Sequence, residues 1–231
     1  MRQLCPLALL LLVPAFGLSA QTTPPQRLAL VGGMVLDGYD APPIHHAAIL
    51  IEGDRIVRVG PAAEIPIPAG YRVIDTSGRT MMPGMIELHA HLVLLGHGEY
   101  TRWFPWIDKQ GRAATLPKVM AIAAKQLLMA GITSAVDLGA PLDEILATRK
   151  AIDSGQLPGP RMSVSGPWLT RNVAIFPADY QIDVKSPEQA AADTERLIAA
   201  GVDVIKAHAG LTRADYKAIV DAAHKHNVRV H

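Results

Sequence analysis

The chain has 231 residues, enough for one large domain or two small ones, and its 22 basic and 21 acidic side chains give a formal charge of +1. Because the basic residues are scattered and not clustered, the sequence argues against a nucleic acid as partner. The single cysteine, Cys5, lies among the first twenty residues. A chain without that segment has no thiol nucleophile, no disulfide and no cysteine-ligated zinc finger, as suits an oxidising exported compartment.

Residues 1–20 have the layout of a secretory signal peptide. Arg2 gives a short positive start, an apolar run extends from residue 4 to residue 16, and Ser19 and Ala20 are small residues before the predicted cut. The run is too short and too interrupted by proline to span a bilayer, and the same prolines disfavour the alternative of an N-terminal core helix. We therefore expect an exported protein, periplasmic or secreted, with no stable membrane span once the leader is removed.

Residues 21–26 are predicted to be a solvated linker, and residues 27–80 a small β-sandwich segment. The runs RLALVGGMVLDG, AAILIEGDRIVRVG and YRVIDTSGRT are short and β-rich. The Gly-Asp pair in IEGDRIVRV lies between two alternating runs and indicates a hairpin.

Between residues 81 and 231, strand-like and helix-like segments alternate. Five strands are visible, the last of them cut off, and four helices, the first from about Leu116 to Met129. This alternation predicts right-handed β-α-β units and a parallel sheet. The segment VLLGHGEYTRWFPWIDKQGR, after the first of these strands, is predicted to be a long loop.

The stretch MMPGMIELHAHL contains the first candidate metal ligands. On a strand, residues two apart share a face, so Glu87, His89 and His91 point the same way. Two imidazoles at the carboxyl end of a strand can converge on one cation at about 2.0–2.1 Å. Two merely hydrogen-bonded histidines are the alternative, because the spacing alone is weak: His224 and His226 have the same spacing on a predicted helix, where they diverge.

The stretch GVDVIKAHAG contains the second candidate, Lys206, which shares a strand face with Val202, Val204 and His208. Burial lowers the pKa of a lysine amine. The neutral amine can react with carbon dioxide to give a carbamate, an anionic oxygen ligand able to bridge two metals. The alternatives are a lysine that reaches solvent or one that binds an anionic substrate.

Four motifs together resemble one known family. VIDTSGRTMMPGMIELHAHL, AGITSAVDLGAP, GPRMSVSGPWLT and AGVDVIKAHAG occur in this order in metal-dependent amidohydrolases. The chain is most similar to the imidazolonepropionase-like branch, which includes exported Xaa-Pro dipeptidase-like members, and the resemblance extends from Arg27 to His231. It implies the α/β class and a (β/α)8 TIM-type barrel, of which residues 81–231 contain the first five strands, with a small N-terminal β-sandwich domain.

The same resemblance implies a centre with one or two divalent metal ions, zinc above manganese, cobalt or nickel. His89 and His91 fall on the first-strand ligands, and Lys206 falls on the fourth-strand lysine that is carbamylated in binuclear members. The implied reaction is hydrolysis of a C–N bond in an amide, cyclic amide or dipeptide by a metal-activated water. A late-strand aspartate then passes the proton to the leaving nitrogen. Deamination or deacetylation on the same scaffold stays open.

The sequence departs from the family pattern in three places. Val136 stands where many relatives have an arginine. The fifth-strand ligand of relatives falls two residues beyond His231, which lies one step deeper on the same face and is itself a candidate ligand. The sixth-strand histidine and the eighth-strand catalytic aspartate lie beyond the chain end, so no catalytic residue is assigned. We expect an N-terminal portion that is inactive alone; the alternative is a non-catalytic binding or partner protein that keeps part of the fold.

Two predicted loops contain candidate substrate contacts. His97, Tyr100 and Trp103 follow the first strand, and Arg171, after the third strand, is a candidate anchor for a substrate carboxylate. The alternative for the aromatic residues, including Trp106, is that they pack the loop down. The other four histidines are predicted to be surface or structural: His45, His46, His224 and His226. The expected partner is a small molecule or a dipeptide, and a homo-oligomer is compatible with the sequence.

Overall fold

The computed structural model describes residues 26–95, 99–173 and 176–231. The predicted leader, residues 1–20, and the candidate substrate contact His97 lie outside the described residues. The chain forms two compact units, and the division between them falls after Pro83. Within the described ranges, no helix is both long enough and apolar enough to cross a bilayer.

The first unit contains a four-stranded sheet in the order β4-β3-β1-β5 and a two-stranded pair of β2 with β6. Its strands are β1 (Arg27–Val31), β2 (Met34–Val35), β3 (Ala47–Glu52), β4 (Arg55–Pro61), β5 (Arg72–Asp75) and β6 (Thr80–Met81). The predicted hairpin is present as the antiparallel pair β3–β4. Its turn places Gly53 at φ 61°, a left-handed conformation that favours glycine.

The apolar residues of the first unit form two separate clusters, because successive side chains along a strand point to opposite faces of the sheet. Ala29 and Leu50 belong to one buried cluster, and Leu30 and Ile49 belong to another. Because β1 and β3 pair Ala29 with Leu50 and Leu30 with Ile49, each cluster takes one face of the sheet. A β-sandwich for residues 27–80 stays a prediction.

The second unit is a parallel α/β arrangement, as the alternating pattern predicts. Its strands are β7 (Met85–Ala90), β8 (Ile132–Asp137), β9 (Arg161–Val164), β10 (Trp168–Thr170), β11 (Gln181–Asp183), β12 (Val204–Ile205) and β13 (Arg229–Val230). Its helices are α1 (Tyr100–Lys109), α2 (Arg112–Met129), α3 (Leu142–Asp153), α4 (Pro187–Ala200) and α5 (Arg213–Lys225). The sheet β7-β8-β9 and the pairs β10–β11 and β12–β13 are all parallel, and within the described residues they do not close into a barrel.

The prediction of a long loop after the first strand of this unit is wrong, because that segment contains α1. Helix α2 also begins earlier than predicted, at Arg112. Phe104 and Ile107, three residues apart, are buried and form the apolar side of α1. Two features hid this helix from the sequence pattern: Pro105 lies inside it, and Glu99 at its start provides no side-chain cap.

The two helices that flank Lys206 have capped ends. Ser186 accepts a hydrogen bond from the Gln189 N–H at the start of α4, and Gly201 ends that helix at φ 99°. Thr212 and Asp215 form a reciprocal capping box at the start of α5. The segment between these caps, residues 201–212, contains β12 and Lys206.

Candidate metal centre

The end of β7 brings His89 and His91 together: His89 lies in the strand, and His91 directly follows its last residue, Ala90. Their ring centres are 5.1 Å apart, with the ring planes at 70°. Two imidazoles bound to one tetrahedral ion, with metal–nitrogen distances of about 2.0–2.1 Å, have ring centres about 5 Å apart. The observed spacing therefore suits a shared cation.

His91 is in the protonation state that a metal ligand requires. Burial, and then the neighbouring His89, lower the pKa of His91 to about 4, so its ring is neutral at pH 7. Its Nδ1 atom is buried without a hydrogen-bond partner. Buried polar atoms are rarely left unpaired, and neutral imidazole is the form that binds metals. The donor chemistry of this residue fits a divalent ion.

The hydrogen bonds after β12 place His231 beside Lys206. The Ala207 N–H donates to the His231 carbonyl at 2.8 Å, and the His231 N–H donates to the Ile205 carbonyl at 2.8 Å. This continues the register of β12 with β13, so His231 lies directly opposite Lys206. Paired residues of neighbouring strands present their side chains to the same face. The face of Lys206 therefore includes His231, whose role as a ligand stays a prediction.

The strand β10 adds Trp168 to this row. Leu169 is bridged in parallel to Ala207, so Trp168 lies opposite Lys206. Leu169 and Ala207 pack in one buried cluster, whereas Trp168 packs in a different one. The strand thus separates two clusters, and Trp168, Lys206 and His231 form a row across three neighbouring segments.

Lys206 and His208 occupy a partly buried environment. Burial lowers the pKa of the Lys206 amine. Burial, and then Lys206 and His89, lower the pKa of His208, whose Nδ1 atom is buried without a hydrogen-bond partner. A lowered amine pKa increases the neutral fraction that can react with carbon dioxide. The environment is therefore compatible with a carbamate at Lys206.

Asp137, at the end of β8, connects this strand to the turn after β7. Its carboxylate is completely buried and accepts hydrogen bonds from the Leu92 N–H at 2.7 Å and the Gly139 N–H at 3.1 Å. Burial raises the pKa of Asp137 to about 7 against the effect of these two donors. The contact with Leu92 fixes the backbone immediately after His91.

Sequence reasoning did not assign Asp137, Trp168 or His208 to the site. One available signal was an acidic residue closing an apolar strand, as Asp137 does in GITSAVD. His208 is two residues after Lys206, so strand alternation alone predicts that both side chains lie on the same face. The position of Trp168 depends on the register of β10 against residues 206–209, which no local pattern contains.

The cleft beside the histidines is formed by β7 and α2. It has a volume of about 300 Å³ and is lined by Glu87, His89, His91 and by apolar residues that include Leu94 and Leu127. Within the described ranges, no three His, Cys, Asp or Glu side chains form a ready metal cluster. The fit to a metal therefore rests on His89, His91 and the carbamate that Lys206 would provide.

The aromatic candidates from the first loop belong to α1 or precede it. The Trp103 indole Nε1–H donates to the Val93 carbonyl at 2.8 Å, and its ring stacks on Trp106 at 5.3 Å. Through these contacts Trp103 holds α1 against the segment that follows β7. Tyr100 is the first residue of α1, and His97 lies outside the described residues. Substrate contacts by Tyr100, Trp103 and His97 stay predictions.

Arg171 forms a two-pronged ion pair with Asp215. Its Nε and Nη2 donate to the two carboxylate oxygens at 2.9 and 2.7 Å, and its Nη1 donates to the Lys185 carbonyl at 3.0 Å. Asp215 is completely buried, and the Arg171 guanidinium lowers the pKa of this carboxyl to about 2. A substrate carboxylate at Arg171 stays a prediction, and it would have to compete with Asp215 for the same donors.

Replacing Asp215 with asparagine is expected to destabilise the protein at pH 7 by roughly 1 kcal/mol or more, because the buried carboxylate that holds Arg171 through two charge-assisted hydrogen bonds is lost. The pKa of Asp215 is lower in the folded protein than its ordinary value of 3.8. The stabilisation is therefore present above that value and disappears as the pH falls towards 2. Chemical denaturation across this pH range should show wild type and D215N converging at low pH.

The matched control is D221N, which removes an exposed carboxylate paired with Lys217 within the same helix. Exposed pairs of this spacing contribute little. Equal losses in D215N and D221N would contradict the role assigned to Asp215.

The chain is similar in sequence both to a protein-family model and to individual proteins of known function. Residues 80–231 match the sequence model of the amidohydrolase family. The 5-methylthioadenosine/S-adenosylhomocysteine deaminase of Symbiobacterium thermophilum is 33% identical over 131 residues, which are 52% of this chain and 30% of that protein. The imidazolonepropionase of Cereibacter sphaeroides is 50% identical over 60 residues, 26% of this chain and 14% of that protein.

Solved structures match over more of the chain. A candidate prolidase from Bifidobacterium longum superposes with a TM-score of 0.73 at 26% identity, over 90% of this chain and 49% of that one. The ochratoxinase of A. niger has a TM-score of 0.73 at 21% identity, over 90% of this chain and 55% of that one, and shows the shared fold. This chain thus spans about half the length of these solved structures and less of the curated relatives. Since the family model covers well over half of the residues, the chain belongs to the amidohydrolase family.

Proposed function

We propose that this chain is the N-terminal part of an exported, metal-dependent hydrolase that cleaves a C–N bond in an amide, a cyclic amide or a dipeptide. The observation that carries the proposal is the pair of imidazoles, His89 and His91, with ring centres 5.1 Å apart in a chain of the amidohydrolase family. Members of this family generally bind divalent metal ions, and the neutral imidazole of His91 supports the same use here.

In this proposal His89, His91 and carbamylated Lys206 hold one or two divalent ions, zinc first, and His231 is a further candidate. When bound, such an ion supplies the Lewis acidity that activates water and polarises the scissile carbonyl. A neutral His91 is available to bind without first losing a proton, and burial lowers the pKa of Lys206 and so favours its carbamate. Asp137 holds the backbone after His91 through the Leu92 N–H.

The proton for the leaving nitrogen is assigned to an aspartate on a later strand of a longer protein. This assignment is supported by the length of the relatives, since the chain spans 49% of the B. longum structure. We therefore propose that the residues of this chain bind metal but need the later strands of the longer protein for turnover. The predicted leader supports export to the periplasm or beyond.

Two substrate classes are favoured by particular similarities. The candidate prolidase matches 90% of this chain, which supports a dipeptide ending in proline. The deaminase of S. thermophilum matches 131 residues, which supports deamination of a purine derivative as the second candidate. A non-catalytic binding protein on the same scaffold is the alternative outside the enzyme class.

The test uses the mature protein isolated from its natural source. Its intact mass should exceed that of this chain, and elemental analysis should find at least one divalent ion per protein. With zinc and bicarbonate supplied, an Xaa-Pro dipeptide or imidazolone propionate should be hydrolysed, whereas release of ammonia from an adenosine derivative would favour the deaminase. A protein without bound metal that converts none of these substrates would support the non-catalytic alternative.

A further inference from the structure

The indole of Trp168 lies between two imidazoles of the candidate metal centre. Its ring centre is 5.8 Å from that of His91, with the planes at 88°, and 5.3 Å from that of His208, with the planes at 23°. The first arrangement is edge-to-face and the second is stacked, both of which are favourable for aromatic rings. Trp168 is only 4% exposed, so these contacts are made inside the protein.

The indole itself has little freedom to move. Its Nε1–H donates to the Leu138 carbonyl, and the ring of Phe176 packs on it at 4.3 Å. The backbone is fixed as well, because the Leu169 N–H donates to the Lys206 carbonyl at 2.9 Å and the His208 N–H donates to the Leu169 carbonyl at 2.8 Å. Trp168 is thus held in register with the segment that contains Lys206 and His208.

Gly139 allows this close packing. A Cβ atom at this position would lie 2.0 Å from the Trp168 Nε1, which no side chain can tolerate. The same glycine donates its N–H to Asp137. The loop after β8 therefore passes directly against the indole.

The two imidazoles lack the usual orienting partner on one side. Metal-binding histidines generally have a second ring nitrogen hydrogen-bonded to a carboxylate, a carbonyl or water, and this fixes the ring. The Nδ1 atoms of His91 and His208 are both buried without such a partner. His91 also has a hydrogen bond with the Gly139 backbone, so ring packing against the fixed indole is a second contact for His91 and is shared with His208.

We propose that Trp168 is a positioning residue that orients His91 towards His89 and keeps His208 directed at the same centre. This inference rests on the proposed function, in which His91 holds a divalent ion. Loss of the indole frees both rings without removing any proposed ligand.

The test compares W168L, W168F and Y180L in the full-length chain. In metal-free protein, the nuclear Overhauser contact between the His89 and His91 rings is expected to be present in the wild type, lost in W168L and retained in W168F, whose ring restores part of the packing. Affinity for Co²⁺ is expected to fall about 10–100-fold in W168L, as for loss of an outer-shell partner, and much less in W168F. Tyr180 is an equally buried aromatic of the same cluster that packs on Phe104 and Arg112, so Y180L should lose comparable stability but keep the ring contact and the affinity.

The inference is overturned if W168L keeps both the ring contact and the cobalt affinity, or if Y180L loses them to the same extent. The metal-free experiment also separates this inference from the proposed function. A wild type that fails to bind Co²⁺ would contradict the metal centre, while the contact between His89 and His91 would still decide the role of Trp168.

Discussion

Replacing His89 and His91 together with alanine is expected to leave the protein without a tightly bound divalent ion. Both proposed first-strand ligands are removed, so the loss of metal affinity should exceed the roughly 10–100-fold effect of removing a supporting partner. Any hydrolytic activity of the complete protein should be lost, because the chemistry depends on the ion. This loss should be larger than any change in the free energy of unfolding can explain. Elemental analysis and calorimetric titration with Zn²⁺ measure metal content and affinity, and hydrolysis rates measure the loss of activity.

The chain provides a control with the same spacing. His224 lies near the end of α5 as part of a second His-x-His stretch and is exposed. On a helix, residues two apart face different directions, so H224A should bind metal like the wild type. A double variant H89A/H91A that retains its full metal content would place the ion elsewhere and end the assignment to β7.

Replacing Lys206 with alanine is expected to abolish the uptake of carbon dioxide and to reduce the number or affinity of the bound ions. Burial lowers the pKa of the Lys206 amine and so favours its reaction with carbon dioxide. With ¹³C-labelled bicarbonate, the wild type should show one slowly exchanging carbamate signal that K206A lacks. Metal content should rise with bicarbonate in the wild type alone.

K217A is the matched control for Lys206, since Lys217 is exposed and paired with Asp221. The loss of this amine should leave the carbamate signal unchanged. A carbamate signal that persists in K206A, or full metal binding by K206A, would contradict the role of Lys206.

Alternation along strands explains why part of the centre could be predicted from the sequence. His89 and His91 meet because residues two apart on a strand share a face, which depends on backbone geometry and not on tertiary context. The same rule places Lys206 and His208 together. The hairpin at Gly53 was predicted for a similar reason, since its turn depends on a local backbone conformation.

Contacts between distant segments explain what the sequence did not reveal. Arg171 finds Asp215, 44 residues away, only after β10 lies against residues 206–209. Trp168 reaches the imidazoles through the same register. The helix α1 was missed because Pro105 is a strong local argument against a helix, and burial of Phe104 and Ile107 outweighs it.

Trp168, Lys206 and His231 share one face only while the register of their strands is kept, so an insertion or deletion just ahead of a strand would move its side chains to the other face. A one-residue deletion at Pro167 would exchange the faces of Trp168 and Leu169, placing an aliphatic chain in the centre and an indole in the opposite cluster. A deletion between Pro83 and Glu87 would turn the histidines away in the same manner. Length changes that are not immediately ahead of β7 or β10 leave this alternation intact, so natural or engineered variation in length should be nearly absent from the residues just ahead of these two strands.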